Sequence, residues 1–253
     1  MKLEVVRADV PMTNLPKSLD GLKIGVMADF HAGAFATRST ILQAVSIINA
    51  KKPDLVVLLG DYMDTLLKRT YESLEKKTYI FRILKRLRPP LGIYAVLGNH
   101  DHYIDAAYVK EKLSDVPAVV LHNQSITLDN GLLLAGVDDL LRGSADPLKA
   151  TEHLSPESTT ILLSHNPDIS FQLKRNKCVK LVLCGHTHGG QIRVPFLNWA
   201  IYAPCSRHYR RRTGLIRETV HRWTFLTKGI GTSIVPIRVA CPPDVGLLRL
   251  TRG

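Results

Sequence analysis

Short apolar runs recur along the chain, and each one ends abruptly in polar residues. A short continuous apolar run is typical of a strand that is buried on both faces. The sequence predicts five such strands, at 24–28, 55–59, 93–97, 161–163 and 181–184. These runs indicate a sheet that lies inside the protein rather than at its surface.

Helical spacing appears between the first three runs. Ile41, Val45 and Ile48 would share one helix face, and a second apolar face extends from Ile80 to Leu87 before Pro89 stops the helix. The alternation of strand and helix predicts βαβ units and therefore an α/β fold.

The second half of the chain predicts a mixed sheet. Asp129-Asn130-Gly131 is a turn signal between the apolar runs 126–128 and 132–134, which favours a hairpin. Further strands are expected within 220–250. No linker or composition shift divides the sequence, so residues 1–253 are predicted to form a single domain, with the metal-ligand motifs in 29–188.

Composition narrows the class of protein. The 253 residues are 45% hydrophobic and 22% charged, which is typical of a globular chain. We see no export signal and no apolar run long enough to span a bilayer. The four cysteines lack C-x-x-C spacing, so reduced thiols in a cytoplasmic protein are expected.

The charge of the chain predicts an anionic partner. The net charge is +12, which favours a phosphorylated substrate, an acidic membrane surface or nucleic acid. Aromatic residues make up only 6% and form no stacking array, which disfavours nucleic acid. Peripheral contact with the inner membrane surface remains compatible with this charge.

Polar residues capable of binding metal follow each of the five buried runs. Since ligand crevices of α/β sheets lie at the carboxyl ends of the strands, we expect these five groups to converge. A mixture of imidazole and carboxylate suits iron, manganese or zinc better than calcium or magnesium. The groups are Asp29-Phe30-His31, Gly60-Asp61, Gly98-Asn99-His100-Asp101, Ser164-His165-Asn166 and Gly185-His186-Thr187-His188.

The order of these motifs resembles the calcineurin-like metallophosphoesterase superfamily. The more specific likeness is to bacterial phosphodiesterases of the YkuE and YaeI type. It is carried by Asp29-Phe30-His31-Ala32-Gly33, by His186-Thr187-His188-Gly189-Gly190-Gln191-Ile192, and by the tail Gly229-Ile230-Gly231-Thr232-Ser233 with Pro236-Ile237-Arg238. The resemblance implies a four-layer α/β/β/α sandwich of two mixed sheets.

The resemblance also implies a role for each motif residue. Two divalent metal ions, most consistent with manganese and alternatively iron or zinc, would activate water against a phosphate ester. His100 would donate a proton to the leaving oxygen or stabilise the charge that develops on phosphorus, and Asp101 would orient its ring. The implied ligands are Asp29, His31 and His188 for one metal, Asp61 as the bridge, and Asn99, His165 and His186 for the other.

Several functions stay open at this point. A phosphodiesterase is the leading hypothesis, with a pyrophosphate hydrolase acting on UDP-2,3-diacylglucosamine in lipid A synthesis, or a nuclease, as alternatives. A non-catalytic scaffold is disfavoured because every implied ligand position holds a metal-binding residue type. Arg207, Arg210 and Arg211 are predicted to bind an anionic or lipid-like substrate.

Overall fold

Two six-stranded mixed sheets form the centre of the protein, in a computed structural model that describes residues 2–33, 36–65, 71–194 and 199–253. The strands of the first sheet follow the order β1-β14-β2-β3-β4-β5. Parallel pairing prevails, and only the contact between β14 and β2 is antiparallel. The bounds are β1 Glu4–Met12, β2 Lys23–Met27, β3 Leu55–Leu58, β4 Ile93–Ala95, β5 Ala118–Val120 and β14 Asp244–Arg252.

The second sheet has the order β12-β13-β9-β8-β7-β6. Its four central strands run parallel, and antiparallel strands close both edges. A two-stranded ribbon, β10 (Arg193–Val194) with β11 (Trp199–Ala200), lies outside both sheets. The bounds are β6 Gln124–Thr127, β7 Leu133–Gly136, β8 Thr160–Leu163, β9 Val179–Cys184, β12 Gly214–Arg217 and β13 Trp223–Leu226.

Helices cover the outer face of each sheet. Three of them, α1, α3 and α5, contribute apolar residues to one cluster with the first sheet. Helix α6 and a 3₁₀ segment, Pro167–Leu173, do the same for the second sheet. The bounds are α1 Arg38–Lys51, α2 Tyr71–Glu75, α3 Tyr79–Leu84, α4 Asn99–Ile104, α5 Ala106–Ser114 and α6 Pro147–Thr151.

The alternation of side chains along β3 defines the layers. Val56 and Leu58 pack with the helices, whereas Leu55 and Val57 pack between the two sheets against residues such as Leu181. Because consecutive strand residues point to opposite faces, an unbroken apolar run is needed to fill both layers. The α/β fold with two mixed, helix-flanked sheets is confirmed.

Most predicted elements are present, with two differences. The hairpin is confirmed, with Thr127 opposite Leu133. Helix α3 ends at Leu84, so Leu87 is buried in the turn that follows. Strand β1 was not predicted. The five ligand-bearing strands lie in two sheets, as the family resemblance implied. Among the described residues, no helix is both long and apolar enough to cross a bilayer.

Candidate metal centre

The motif residues meet where the carboxyl ends of the two sheets come together. Asp29 and His31 follow β2, Asp61 follows β3, and Asn99 begins α4 after β4. His165 follows β8, and the motif that holds His186 and His188 follows β9. Each sheet therefore supplies part of the site, and the packing of one sheet on the other brings the parts together.

One cluster contains Asp29, His31 and His188, all of which are buried. The Nε2 atoms of His31 and His188 lie 3.1 Å apart. The His188 Nε2 atom also lies 3.5 Å from the Asp29 Oδ1 atom. These three side chains offer two imidazole nitrogens and a carboxylate oxygen to one point. We refer to them as the first cluster.

The second cluster contains Asp61, His165 and His186, and Asn99 adjoins it. The His165 Nε2 atom lies 3.2 Å from Asp61 Oδ2, 3.1 Å from His186 Nδ1 and 3.1 Å from Asn99 Oδ1. The His165 Nδ1 atom lies 2.7 Å from the Leu59 carbonyl oxygen, to which it donates. The Nε2 atom is thereby left facing the other polar atoms.

The Asp61 carboxylate lies between the two clusters. Its Oδ2 atom is 3.5 Å from His31 Nε2 on one side and 3.2 Å from His165 Nε2 on the other. A carboxylate in this position is able to bridge two cations, each of which would also contact one of the flanking imidazoles.

The chemistry of the donors fits divalent cations. Burial lowers the pKa of both His31 and His186 to about 3, so these imidazoles are neutral and present lone pairs. Burial also raises the pKa of Asp29 to about 7. Burial disfavours charge on His165 too, but the carboxylates of Asp61 and Asp29 outweigh it and raise its pKa to about 10. A buried group of acceptors thus attracts positive charge, which metal ions would supply.

Five of the seven predicted ligands adopt left-handed backbone conformations. Such conformations cost about 1–3 kcal/mol each for residues other than glycine and concentrate at functional sites. They allow the chain to turn sharply at the strand end while the side chain stays in the crevice. The φ angles are 52° for Asp29, 44° for His31, 57° for Asp61, 72° for His186 and 51° for His188.

Backbone contacts hold the two halves of the site together. The Asp29 carboxylate accepts a hydrogen bond from the His186 backbone N–H, with both oxygens 3.0 Å away. Gly60 has a φ of +91°, and a Cβ atom there would lie 2.4 Å from the Gly98 nitrogen. Glycine is required at this crossing because any side chain would separate the loops that carry Asp61 and Asn99.

Asp101 does not orient the His100 ring, contrary to the expectation from the sequence. Its Oδ2 atom accepts hydrogen bonds from the Asp61 and Gly98 backbone nitrogens, both at 2.8 Å, and its Oδ1 atom accepts from Tyr62 at 2.9 Å. These bonds turn the carboxylate inward. Asp101 therefore anchors the strand-end loops.

The His100 ring has a different partner, which the sequence motifs did not reveal. Its Nδ1 atom lies 2.9 Å from the Thr65 Oγ1 atom. The ring packs edge-on against His31, with 4.7 Å between centroids. Thr65 belongs to the loop after β3 and carries no motif of its own, so only the three-dimensional structure identifies it.

Arg238 is a second residue whose position the sequence did not explain. It is buried, and its guanidinium donates to the carbonyl oxygens of His188 at 3.1 Å and Gly229 at 3.2 Å, and also to Gly231. The only sequence feature that pointed to Arg238 is that it belongs to the tail motif that carries the family resemblance. Arg238 holds the loop after His188 against the C-terminal loop.

A cavity of about 350 Å³ opens over the clusters. Its polar lining includes Asp61, Asn99, His100, His186 and His188. The predicted substrate-binding arginines lie elsewhere: Arg207, Arg210 and Arg211 line a separate cavity of about 540 Å³ with His208 and Arg212. These three arginines are not among the described residues that line the metal cavity, so their role in binding an anionic or lipid-like substrate stays a prediction.

Comparison with known proteins identifies the family. The sequence profile of calcineurin-like phosphoesterases matches residues 22–190. The metallophosphoesterase YkuE of Bacillus subtilis is 30% identical over 98% of this chain and 85% of its own length. Phosphodiesterase YaeI of Escherichia coli is 31% identical over 90% of this chain and 82% of its own length.

A longer relative and a solved structure extend the comparison. A transmembrane protein with a metallophosphoesterase domain from Danio rerio is 32% identical over 96% of this chain, which spans 56% of that protein's length. The crystal structure of TT1561 of Thermus thermophilus shares the fold, with a TM-score of 0.53, 14% identity and coverage of 83% of this chain and 90% of that one. The chain therefore belongs to the calcineurin-like phosphoesterase family, a family of metal-dependent phosphoester hydrolases.

Proposed function

We propose that this protein is a phosphodiesterase that uses two divalent metal ions. The observation that carries the proposal is the position of Asp61, whose Oδ2 atom lies within 3.5 Å of an imidazole nitrogen from each side of the site. A carboxylate shared between the two sides would help to hold two cations, which in two-metal phosphoesterase sites stabilise the attacking and leaving oxygens. The relative named as a phosphodiesterase supports the choice of substrate class.

Seven side chains would hold the metals. Asp29, His31 and His188 would bind one ion, and Asn99, His165 and His186 the other, with Asp61 shared. Imidazole nitrogens and carboxylate oxygens together suit manganese, iron or zinc, and manganese is our first choice for assay. When bound, the two ions supply Lewis-acid polarisation of the phosphate and a nucleophile derived from water at neutral pH.

The protein's own side chains would position the ester and manage the proton. His100 borders the cavity and is only partly buried, so it can reach a bound phosphate. A proton on its Nε2 atom would pass to the leaving oxygen as the P–O bond breaks. Thr65 holds the opposite ring nitrogen, which fixes the direction in which Nε2 points.

Metal content and turnover together test this proposal. We expect the purified protein to bind two equivalents of Mn²⁺ and to hydrolyse bis(4-nitrophenyl) phosphate, with loss of activity in EDTA. Asp61→Asn should lower both metal content and turnover. Asp129→Asn, an exposed carboxylate in the β6–β7 turn, serves as the matched control and should change neither.

Two experimental outcomes would contradict the proposed activity or the proposed role of Asp61. A folded, metal-loaded protein that leaves aryl phosphodiesters, phosphomonoesters, UDP-linked pyrophosphates and DNA all intact would refute it. An Asp61→Asn variant that retained both metals and full turnover would show that the bridge lies elsewhere.

A further inference from the structure

Exposed apolar side chains gather at the mouth of the metal cavity. Isolated exposed apolar residues are ordinary in soluble proteins, but a contiguous group marks a binding site. Ile234 and Ile201 are 71% and 64% exposed, and Tyr202 is 60% exposed. We call the following residues, all of which line the cavity, the apolar rim: Leu141, Ile192, Ile201, Tyr202, Ile234 and Val235.

The rim is directly connected to the predicted metal ligands. Residues 189–192 follow His188, and the Ile192 carbonyl oxygen accepts a hydrogen bond from the Ile201 backbone N–H at 3.0 Å. The Gln191 side chain donates to the carbonyl oxygen of Val235 at 3.1 Å. It also accepts from the Ser233 backbone. The polar groups of this segment are thus bonded inward, which leaves the apolar side chains facing the cavity.

Ile234 occupies a conformation that is unfavourable for its residue type. Its φ is 66°, in the left-handed region where a β-branched residue is a clear outlier. Asparagine or glycine would be more stable here, and an exposed isoleucine gains nothing from burial in the free protein. Strain of this kind concentrates at ligand-binding positions.

The charge of the lining restricts what the rim can accept. Among the described residues that line the cavity there is no lysine or arginine. A substrate that carries a second anionic group, such as a nucleoside polyphosphate, would find no lysine or arginine to pair with it among these described lining residues. The arginine-lined cavity is separate and does not supply one.

We infer that the substrate is a phosphodiester that carries an aliphatic chain. The chain lies along Ile201, Ile234 and Val235, while the phosphate lies at the first and second clusters. This inference rests on the proposed function and specifies its substrate class. In the reaction, water adds to phosphorus and the P–O bond to one alcohol breaks. The alcohol leaves with a proton, and a phosphate monoester of the other alcohol remains.

A series of soluble substrates tests the inference. Methyl, butyl and octyl 4-nitrophenyl phosphate share one leaving group and differ only in the chain, and each is used below its micelle-forming concentration. Because complete burial of a methylene corresponds to about fourfold in an equilibrium constant, we expect kcat/KM to rise at least about tenfold from methyl to butyl. Calorimetric titration with methyl-, butyl- and octylphosphonate should show the same order in affinity.

Two rim variants locate the effect. Ile234→Asn removes an apolar side chain and relieves the backbone strain, so it should fold at least as well as the parent protein. We expect it to reduce the gain in kcat/KM from the methyl to the octyl ester by about threefold or more relative to the parent protein. Ile201→Ser should act in the same direction. Val220→Asn is the control, since Val220 is 68% exposed and lies outside the cavity.

The outcomes separate this inference from the proposed function. If the protein hydrolyses none of these esters, the result counts against the phosphodiesterase activity itself. Hydrolysis with no dependence on chain length, or faster turnover of thymidine 4-nitrophenyl phosphate than of the octyl ester, would overturn the inference alone. A flat soluble series combined with activation by phosphatidylglycerol vesicles would also overturn it and would assign the rim to a membrane surface.

Discussion

Thr65 offers the sharpest test of how His100 acts. Its Oγ1 atom lies 2.9 Å from His100 Nδ1. Thr65→Val keeps the shape of the side chain and removes this single hydrogen bond. If His100 donates a proton in the transition state, the substitution should slow hydrolysis of esters whose leaving group needs that proton. Esters that release 4-nitrophenolate should be affected little.

The size of the effect follows from the kind of hydrogen bond. A bond to a charged group contributes about 1.5–3 kcal/mol, which corresponds to about 10–150-fold in rate. Thr65 is only partly buried, so water can replace part of the interaction, and we expect about tenfold. His100→Ala should cost more, about 10²–10⁴-fold, because it removes the acid itself.

The assay compares kcat for a phenyl ester and a 4-nitrophenyl ester in the parent protein, Thr65→Val and Thr65→Ser. Serine restores the hydroxyl and should restore the rate. Metal content, measured on the same samples, must stay constant for the comparison to hold. An equal loss with both leaving groups would refute the positioning role, and so would full activity of Thr65→Val with the phenyl ester.

Three further predictions concern stability. Gly60→Ala should lower the urea midpoint more than Gly131→Ala, because both glycines have positive φ but only Gly60 has backbone within 2.4 Å of the new Cβ atom. Removal of metals with EDTA should lower the melting temperature, and added Mn²⁺ should restore it, since bound ions stabilise the folded state alone; an unchanged melting temperature would contradict the metal assignment. His102→Ala should destabilise the protein most between about pH 4 and pH 6.5. Burial opposes charge on Asp138, but its hydrogen bond with His102 helps hold the Asp138 pKa well below its usual value and raises the His102 pKa, so the pair loses stability below and above that window. The same loss at pH 5.5 and pH 9 would contradict that explanation, and His153→Ala, at an exposed site, is the control.

The buried strands were predictable because their signal is local. The sequences of β2 and β3 contain continuous apolar runs. A strand needs apolar residues at consecutive positions when both of its faces are buried. Strand β1 was missed because Glu4, Arg7 and Asp9 interrupt its apolar residues, and its partner β14 lies at the other end of the chain. A pairing across 240 residues leaves no local pattern.

The division into two sheets was not available from periodicity. Strands β3 and β9 have the same apolar character, although they belong to different sheets. Family resemblance supplied the second sheet. The same limit explains Asp101 and Thr65, since adjacency in sequence suggested one partner for His100 and the packing of two loops provides another.

Residues with left-handed backbone conformations occur both in the two ligand clusters and in the apolar rim. Asp and His are among the residues that tolerate left-handed conformations best, so the strained residues of the metal clusters, such as Asp61 and His186, have a modest local cost. Ile234 has no such tolerance, and its side chain is exposed, so neither its backbone nor its burial favours isoleucine at that position. A ligand that covers Ile234 would supply the missing burial. The two ligand clusters and the apolar rim border one cavity, so in the proposed function the first set of residues would act on the phosphate and the second would select what is attached to it.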